Sequence, residues 1–204
     1  MIEDFAYGKW EVLIVIIIVS LFFISKYLPM KTGAEKRSGG VLISFIIALF
    51  TEMYGFPLTI YFLSAKFGIE IPTDHISGHL LGDIITYLGF GNGWIIVMLL
   101  STMLLILGLD LIMKGWSMVY HSQGDLVTTG LYSKMRHPQY TGIFLVTLGF
   151  MIQWPTLITL ILFPFVILMY YKLGIKEEEI MDNLHPEYAT YKKDVPMFIP
   201  KLSK

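Results

Sequence analysis

Apolar positions come in long runs separated by short polar stretches, a pattern that predicts helices crossing a bilayer and not the alternation of half-buried strands. Residues 12–27 are almost wholly Ile, Val, Leu and Phe, with Lys26 set where its aliphatic stem can lie against lipid while its ammonium stays in water. Residues 39–65 form a second run of 27 residues interrupted by Glu52 and Pro57, which predicts a tilted or broken helix. Residues 93–113 give a third run, apolar until Asp110. Two shorter runs, 140–153 and 156–171, are split by Trp154-Pro155 and read as the arms of one tight hairpin. Beyond it the tail predicts a helix over 175–184, a turn at His185-Pro186 and an end to regular structure at Pro196 and Pro200. The expected fold is all-α: a polytopic membrane protein of about five transmembrane helices with a C-terminal helical hairpin.

Composition strengthens this reading. The 204 residues are 55% hydrophobic and only 15% charged, with a mean hydropathy of +0.65, a balance that excludes an ordinary water-soluble domain. The 15 Lys+Arg and 16 Asp+Glu leave a formal charge of -1, too little basic field to gather nucleic acid. With no cysteine there is no disulfide, no thiolate nucleophile and no Cys-ligated metal, so chemistry must use oxygen and nitrogen side chains. Glu3 and Asp4 stand where a secretory signal would be basic, and the first run is expected to be retained. All the Lys and Arg except Lys9 and Lys66 fall on one side of a five-span topology, which sets the N-terminus outside and the C-terminus in the cytoplasm.

Polar residues gather at the two feet of the hairpin. One foot carries Asp125, Thr128, Thr129, Lys134, Arg136, His137 and Gln139, and the other carries Lys172, Lys176 and Glu177-Glu178-Glu179. A hairpin brings its feet together, so Arg136-His137 and the acidic run should flank one crevice, cation against anion. Which two of the three adjacent glutamates face it is open, because neighbouring helical positions diverge by about 100°. An interfacial anchor for Arg136 and a solvated helix start for the glutamates are the plainer readings.

Leu126-Val127, Gly130, Tyr132, Arg136-His137-Pro138 and Tyr140, followed about forty residues later by paired glutamates and then Glu187-Tyr188, Tyr191 and Val195-Pro196, resemble the isoprenylcysteine carboxyl methyltransferase family and the related phospholipid N-methyltransferases. Gly124 stands where the isoprenylcysteine branch commonly has a histidine. The resemblance implies a membrane enzyme that binds S-adenosylmethionine, with Leu126, Val127, Gly130, Tyr132, Arg136, His137 and Tyr140 lining the cofactor site and Glu177 and Glu178 across from them. Arg136 would hold the carboxylate end of the methyl donor, a zwitterion that suits an Arg or His at one end and a Glu at the other. On this reading residues 1–204 form a single membrane domain, with 1–123 as helical scaffold and acceptor side and 124–200 as the cofactor-binding region. The implied function is transfer of a methyl group to a lipophilic or lipid-linked acceptor, either an isoprenylcysteine carboxylate or a phospholipid amine. The rivals are an NADPH-dependent sterol-type membrane reductase and a non-enzymatic scaffold or carrier. Oligomeric state is not legible.

Other features fall outside that motif. Glu52, an ionisable group at bilayer depth beside Gly55 and Pro57, is expected to face a cavity or partner and is assigned to the catalytic site on the acceptor side; a structural hydrogen bond between helices is its plainer role. His75, His79 and Asp83 recur every four residues, but an amphipathic interfacial helix explains the spacing and no metal is expected. Gly89-Phe90-Gly91-Asn92-Gly93 lacks a preceding strand and reads as a turn. Trp94, Trp116 and Trp154 read as interfacial belt aromatics.

Overall fold

Each long apolar run becomes a helix, and the breaks between them fall where proline, glycine and side-chain caps require. The structure, a computed structural model, describes residues 8–68, 79–122 and 125–201. Its helices are α1 (Trp10–Tyr27), α2 (Gly33–Phe50), α3 (Leu58–Phe67), α4 (Leu80–Tyr87), α5 (Gly93–His121), α6 (Pro138–Gln153), α7 (Leu157–Leu184) and α8 (Tyr188–Asp194), with no strand among the described residues. Among the described residues, four helical stretches are long and apolar enough to cross a membrane: α1, α2 with its continuation to Gly55, α5 and α7. The lipid-facing flank of α1 is unmistakable, since Ile14, Val15, Ile18, Val19 and Phe22 are all exposed with no protein to cover them. The fourth expected crossing is α6, whose 16 residues rise about 24 Å, short of the roughly 30 Å of a hydrocarbon core.

The second apolar run is broken, as its proline predicts. α2 starts with a capping box in which the Thr32 side chain accepts from Glu35 N and the Glu35 carboxylate accepts from Thr32 N. The helix then widens into a π turn at Thr51–Gly55 and stops before Pro57, which can donate no hydrogen bond back. The backbone acceptors freed there are used by the chain's own start: Gly8 N and Lys9 N both donate to the Tyr54 carbonyl, at 3.0 and 2.9 Å. Glu52 Oε2 accepts from Thr59 N at 2.8 Å and so caps the first turn of α3.

The hairpin turn at Trp154-Pro155 is held just as firmly. Thr156 and Thr159 cap one another reciprocally, and Leu157 N donates to Thr59 Oγ1 at 2.9 Å, tying α7 to α3. Trp154 is buried, with the His79 ring edge-on to it at 5.1 Å, and His79 Nδ1 lies 2.7 Å from the Gln153 carbonyl. The expectation that Trp154 is an interfacial anchor is therefore corrected, while Trp94 is exposed. His79 spends its ring on this turn; His75 lies outside the described residues.

α5 and α6 run antiparallel at backbone contact because small residues recur every seven positions on both. Ser101, Gly108 and Gly115 on α5 face Gly149, Gly142 and the Pro138-Gln139 pair on α6. A Cβ added to Gly142 would lie 2.5 Å from the Gly108 carbonyl oxygen, and one added to Gly108 would lie 2.7 Å from that of Gly142. This seam sets α6 against the long helix and so fixes the height of the residues that open it. The tail predicted as a separate helix over 175–184 is instead the last third of α7, which runs without interruption through Lys172 and Gly174. Substituting Gly142 by Leu should force the two backbones apart and destabilise the protein by about 1–3 kcal/mol, whereas Gly40→Ala, at an exposed mid-helix position with no neighbour within 4 Å, should leave the melting temperature in detergent equal or slightly higher.

Candidate active site

The feet of the hairpin do meet, and they enclose a cleft of about 210 Å³. Its apolar wall is built by Trp116 and Val119 from the end of α5, Leu126 and Val127 from the segment that follows, and Met181 from α7. Its polar wall carries Arg136, His137 and Gln139 from the start of α6, together with Glu177 from α7. Tyr132, Tyr188 and Tyr191 close one side. Pro138 occupies the first position of α6, where its missing N–H costs nothing, and the residues just before it are thereby fixed at the cleft mouth.

Beneath the cleft lies a buried ionic cluster centred on Glu178. Arg136 Nε donates to Glu178 Oε1 at 2.8 Å, His137 Nε2 is 3.1 Å from the same oxygen, and Lys192 Nζ reaches Oε2 at 3.1 Å. The Glu178 side chain is 4% exposed and that of Arg136 10%, so this pairing takes place largely out of water. Arg136 also binds the tail: Nη1 donates to the carbonyls of Lys192 and Val195 at 2.8 and 2.6 Å. The backbone adds a strap, with Arg136 N donating to Pro196 O, His137 N to Met197 O and Lys201 N to Lys134 O. Gly174 makes room for this strap, since a Cβ there would lie 2.7 Å from the Met197 methyl and 3.4 Å from His137 Nε2.

Glu177 takes the other direction. Its side chain is 27% exposed and lines the cleft; Oε1 accepts from the Tyr140 hydroxyl, and Oε2 stands 3.5 Å from His137 Nδ1. His137 Nδ1 is buried and makes no hydrogen bond among the described residues. The adjacent glutamates are thus divided by helical geometry, Glu177 toward the cleft and Glu178 into the ionic cluster, while Glu179 is exposed.

Burial alone would lower the His137 pKa, but the two neighbouring carboxylates, Glu177 and Glu178, outweigh it and hold the imidazole above its ordinary value. The ring is therefore biased toward the cation, which can offer Nδ1–H to the cleft while Nε2–H serves Glu178. Tyr132 is pushed the opposite way in effect: burial, then the charges of Glu177 and Tyr191, raise its pKa and keep it a neutral phenol. Its hydroxyl lies 3.0 Å from Gln139 Oε1 and 3.2 Å from the Gly115 carbonyl, and its own carbonyl accepts from Tyr191 Oη at 2.6 Å.

Of the residues singled out from sequence, Leu126, Val127, Tyr132, Arg136, His137 and Glu177 line the cleft. Gly130 does not: it sits at φ +59° in the 3-10 turn Gly130–Ser133, and an added Cβ would lie 2.9 Å from the Met118 methyl, so it shapes the turn that presents Tyr132. Tyr140 and Glu178 stand one layer behind, acting on Glu177 and on Arg136-His137. Glu52 is not brought to the cleft. It lies beside Thr59, Trp154 and Thr156, at the opposite end of α7 from Glu177, a helical rise of about 30 Å. Gly124 lies outside the described residues. Sequence reasoning missed Trp116, Val119, Ser122 and Met181; Trp116, expected as a belt aromatic, is buried at 6% exposure in the cleft wall, edge-on to Tyr140 with ring centroids 6.5 Å apart. The α5 positions 115, 116 and 119 beside the motif were the available signal, but their orientation depends on the α5–α6 seam.

Residues 93–182, which span α5, α6 and most of α7 and hold the core of this cleft, match the isoprenylcysteine carboxyl methyltransferase family. The chain is 32% identical over 133 residues to the nickel-cobalt-cadmium resistance protein NccN of Alcaligenes xylosoxydans xylosoxydans, covering 63% of this chain and 58% of that protein. It is 33% identical over 135 residues to a methanethiol S-methyltransferase of Crocosphaera subtropica, covering 62% and 50%. A protein-S-isoprenylcysteine O-methyltransferase of Schizosaccharomyces pombe is 34% identical over 77 residues, covering 37% and 33%. The chain spans about half the length of the first two of these relatives. Over residues 93–182 the chain is thus similar to the isoprenylcysteine carboxyl methyltransferase family.

The raised His137 pKa has a measurable sign. Stabilisation by the protonated ring is fully present below the unfolded-state value of about 6.5 and is lost as pH rises through the higher folded-state value. Melting temperature should therefore fall as pH is raised from about 6 into the alkaline range, and His137→Gln should flatten that slope; equal slopes would detach the effect from this ring.

Proposed function

We propose, from the similarity of residues 93–182 to that family, that the chain is an S-adenosylmethionine-dependent methyltransferase acting on a lipophilic or lipid-linked acceptor, either isoprenylcysteine carboxylate-like or phospholipid amine-like. The observation that carries this reading is the coincidence of the family match at 93–182 with a cleft whose walls divide into an apolar half and a charged half. A reductase and a scaffold are not favoured by that match.

The residues present suit the methyl donor. His137 Nδ1 is a buried nitrogen with no hydrogen bond among the described residues, on a ring biased toward the cation, which fits an incoming carboxylate. Glu177 offers a partly exposed carboxylate for an ammonium or for ribose hydroxyls, and Leu126, Val127 and Trp116 offer a dry face for a purine. When bound, the donor supplies an electrophilic methyl on a sulfonium. The chain's own work is to position and desolvate: Glu178 orients Arg136 and His137, Tyr140 orients Glu177, and the strap of residues 196–201 holds α6 closed against the tail. Arg136 lines the cleft, yet two of its guanidinium nitrogens already serve Glu178 and the tail, so we assign it first to holding the site together. The same proposal sets the cleft on the cytoplasmic side, with N-terminus outside and C-terminus inside, in line with the crowding of Lys and Arg on that side. It keeps 124–200 as the main donor region and 1–123 as scaffold and acceptor side, with Trp116 and Val119 of that part reaching the donor cleft and Glu52 at the far end of α7, outside it.

Calorimetric titration with S-adenosylhomocysteine, alongside NADPH, tests the donor assignment; saturable binding of the first and none of the second is expected, and the reverse result sinks it. The two glutamates should then separate. Glu177→Gln should weaken S-adenosylhomocysteine binding about tenfold or more with little change in melting temperature, as for loss of a charged hydrogen bond to the ligand. Glu178→Gln should lower stability by about 3 kcal/mol, because the buried Arg136 guanidinium is left without its anion, while the more exposed Lys192 keeps Asp182 at 3.3 Å.

A further inference from the structure

On the face of α5 opposite Trp116 and Val119 lies an open groove of about 490 Å³, lined by Lys114, Ser117 and Met118 from α5 and by Gly130, Leu131 and Lys134 from the turn that precedes α6. Groove and donor cleft share that turn as a wall: Tyr132 lines the cleft, while its neighbours Leu131 and Lys134 line the groove. No acidic side chain is among the lining residues. The Lys134 ammonium makes no ion pair among the described residues, and Lys114 has only Asp110, one turn back along α5, in an exposed pair at 2.8 Å. Below the groove the same face of α5 continues as Asp110, Leu107, Ile106 and Met103, the last three exposed and apolar. From Met103 to Lys114 the helix rises about 16 Å, about half of a roughly 30 Å hydrocarbon core and so the depth of one leaflet. One helix face thus passes from an apolar flank of acyl-chain length to two ammonium groups at headgroup height.

We propose that this groove seats the phosphate of an anionic membrane phospholipid, with an acyl chain along Met103, Ile106 and Leu107, and that the seated lipid braces the Gly130–Ser133 turn. Each ammonium carries three N–H donors, and Asp110 uses one of those on Lys114, so both lysines have protons to give a phosphate. The head must be anionic and not zwitterionic. Asp110 lies on the acyl side of Lys114, whereas the cation of a choline or ethanolamine head points outward from its phosphate, where no lining carboxylate meets it. The lipid held here is not the methyl acceptor, because the turn and Tyr132 stand between it and the cleft. Its effect on the cleft is mechanical. The Tyr132 hydroxyl is hydrogen-bonded to Gln139 and to the Gly115 carbonyl, so a turn held from the groove side holds one wall of the donor cleft.

The test is native mass spectrometry of the full chain released from nanodiscs of phosphatidylglycerol and phosphatidylcholine in equal parts, read as the ratio of the two lipids retained. With about fivefold for each lysine near a lipid surface, phosphatidylglycerol should be preferred about twentyfold. Lys134→Gln should lower that preference about fivefold, and Lys114→Gln combined with Lys134→Gln should abolish it. Lys134→Arg should retain it. Lys172→Gln makes the same charge change at an exposed position on α7, outside the groove, and should leave the preference standing. An equal drop there, or a preference that survives the double variant, would reduce the effect to general interfacial charge and overturn the proposal. Bracing is read by hydrogen exchange: amides of residues 130–134 should exchange about fivefold more slowly in phosphatidylglycerol than in phosphatidylcholine, and equally in the double variant. Equal rates in the wild type would overturn the bracing. Slowing reproduced by millimolar inorganic phosphate in phosphatidylcholine would assign the lysines to a free anion and overturn the lipid. Only one consequence rests on the methyltransferase reading, a tighter S-adenosylhomocysteine complex in phosphatidylglycerol. A protein that retains the lipid and slows its turn but binds no S-adenosylhomocysteine sinks that reading and leaves the lipid seat in place.

Discussion

The Glu178 carboxylate is the charge around which the polar end of the molecule is assembled. It is almost fully buried and reached by three cationic side chains from two separate pieces of chain, Arg136 and His137 at the foot of α6 and Lys192 in α8, with the carboxylate itself on α7. A lone carboxylate at that depth would cost several kcal/mol, so α6, α7 and the tail must come together for any of them to be stable in place. Arg136 extends the bond to two tail carbonyls, and the backbone strap over residues 134–137 completes it. An arginine is required there in the geometric sense, because its planar fork serves a carboxylate and two carbonyls in different directions, which a lysine point charge cannot do.

That cluster can form only because α6 is carried at the right height. The seam of Ser101, Gly108 and Gly115 against Gly149 and Gly142 lets the two backbones touch, and α6 needs no full bilayer span of its own when it is buttressed along its length by the 29 residues of α5. The same seam turns Trp116 inward. An aromatic that would otherwise float at the interface becomes the partition between a charged cleft and the hydrophobic bundle, and the cleft inherits its shape from it.

At the other end of the bundle polar groups are again tied to the backbone, although Glu52 Oε1 makes no hydrogen bond among the described residues. Pro57 breaks the second span, and Glu52 Oε2, Thr59, Gly8 and Lys9 take up backbone groups around that break. An acidic residue in an apolar run is therefore doing local structural work here, about 30 Å of helix from Glu177. The general lesson is that position at bilayer depth marks an ionisable group as needing a partner but does not say whether that partner is a substrate or a backbone amide.

Helical class, the breaks at Pro57 and at Trp154-Pro155, and the grouping of charge at the hairpin feet were legible in the sequence, since each depends on near neighbours: run lengths and the missing N–H of proline. So was the membership of Arg136, His137 and Glu177 in one crevice, because a hairpin leaves its feet no other place to go. What near-neighbour pattern could not decide was direction. Two adjacent glutamates are chemically identical, and only the packing of α7 on α6 sent Glu177 to the cleft and Glu178 to the ion cluster. Gly130 and Tyr140 belong to the same motif string as Tyr132, yet a positive φ turned one toward Met118 and the facing helix placed the other behind Glu177. Trp116 lies ahead of the motif string, and its role came entirely from the glycine seam. Composition and periodicity determine which segments are helices in lipid; which face of each helix meets a ligand is set by contacts between residues far apart in the chain, and only the folded bundle supplies those.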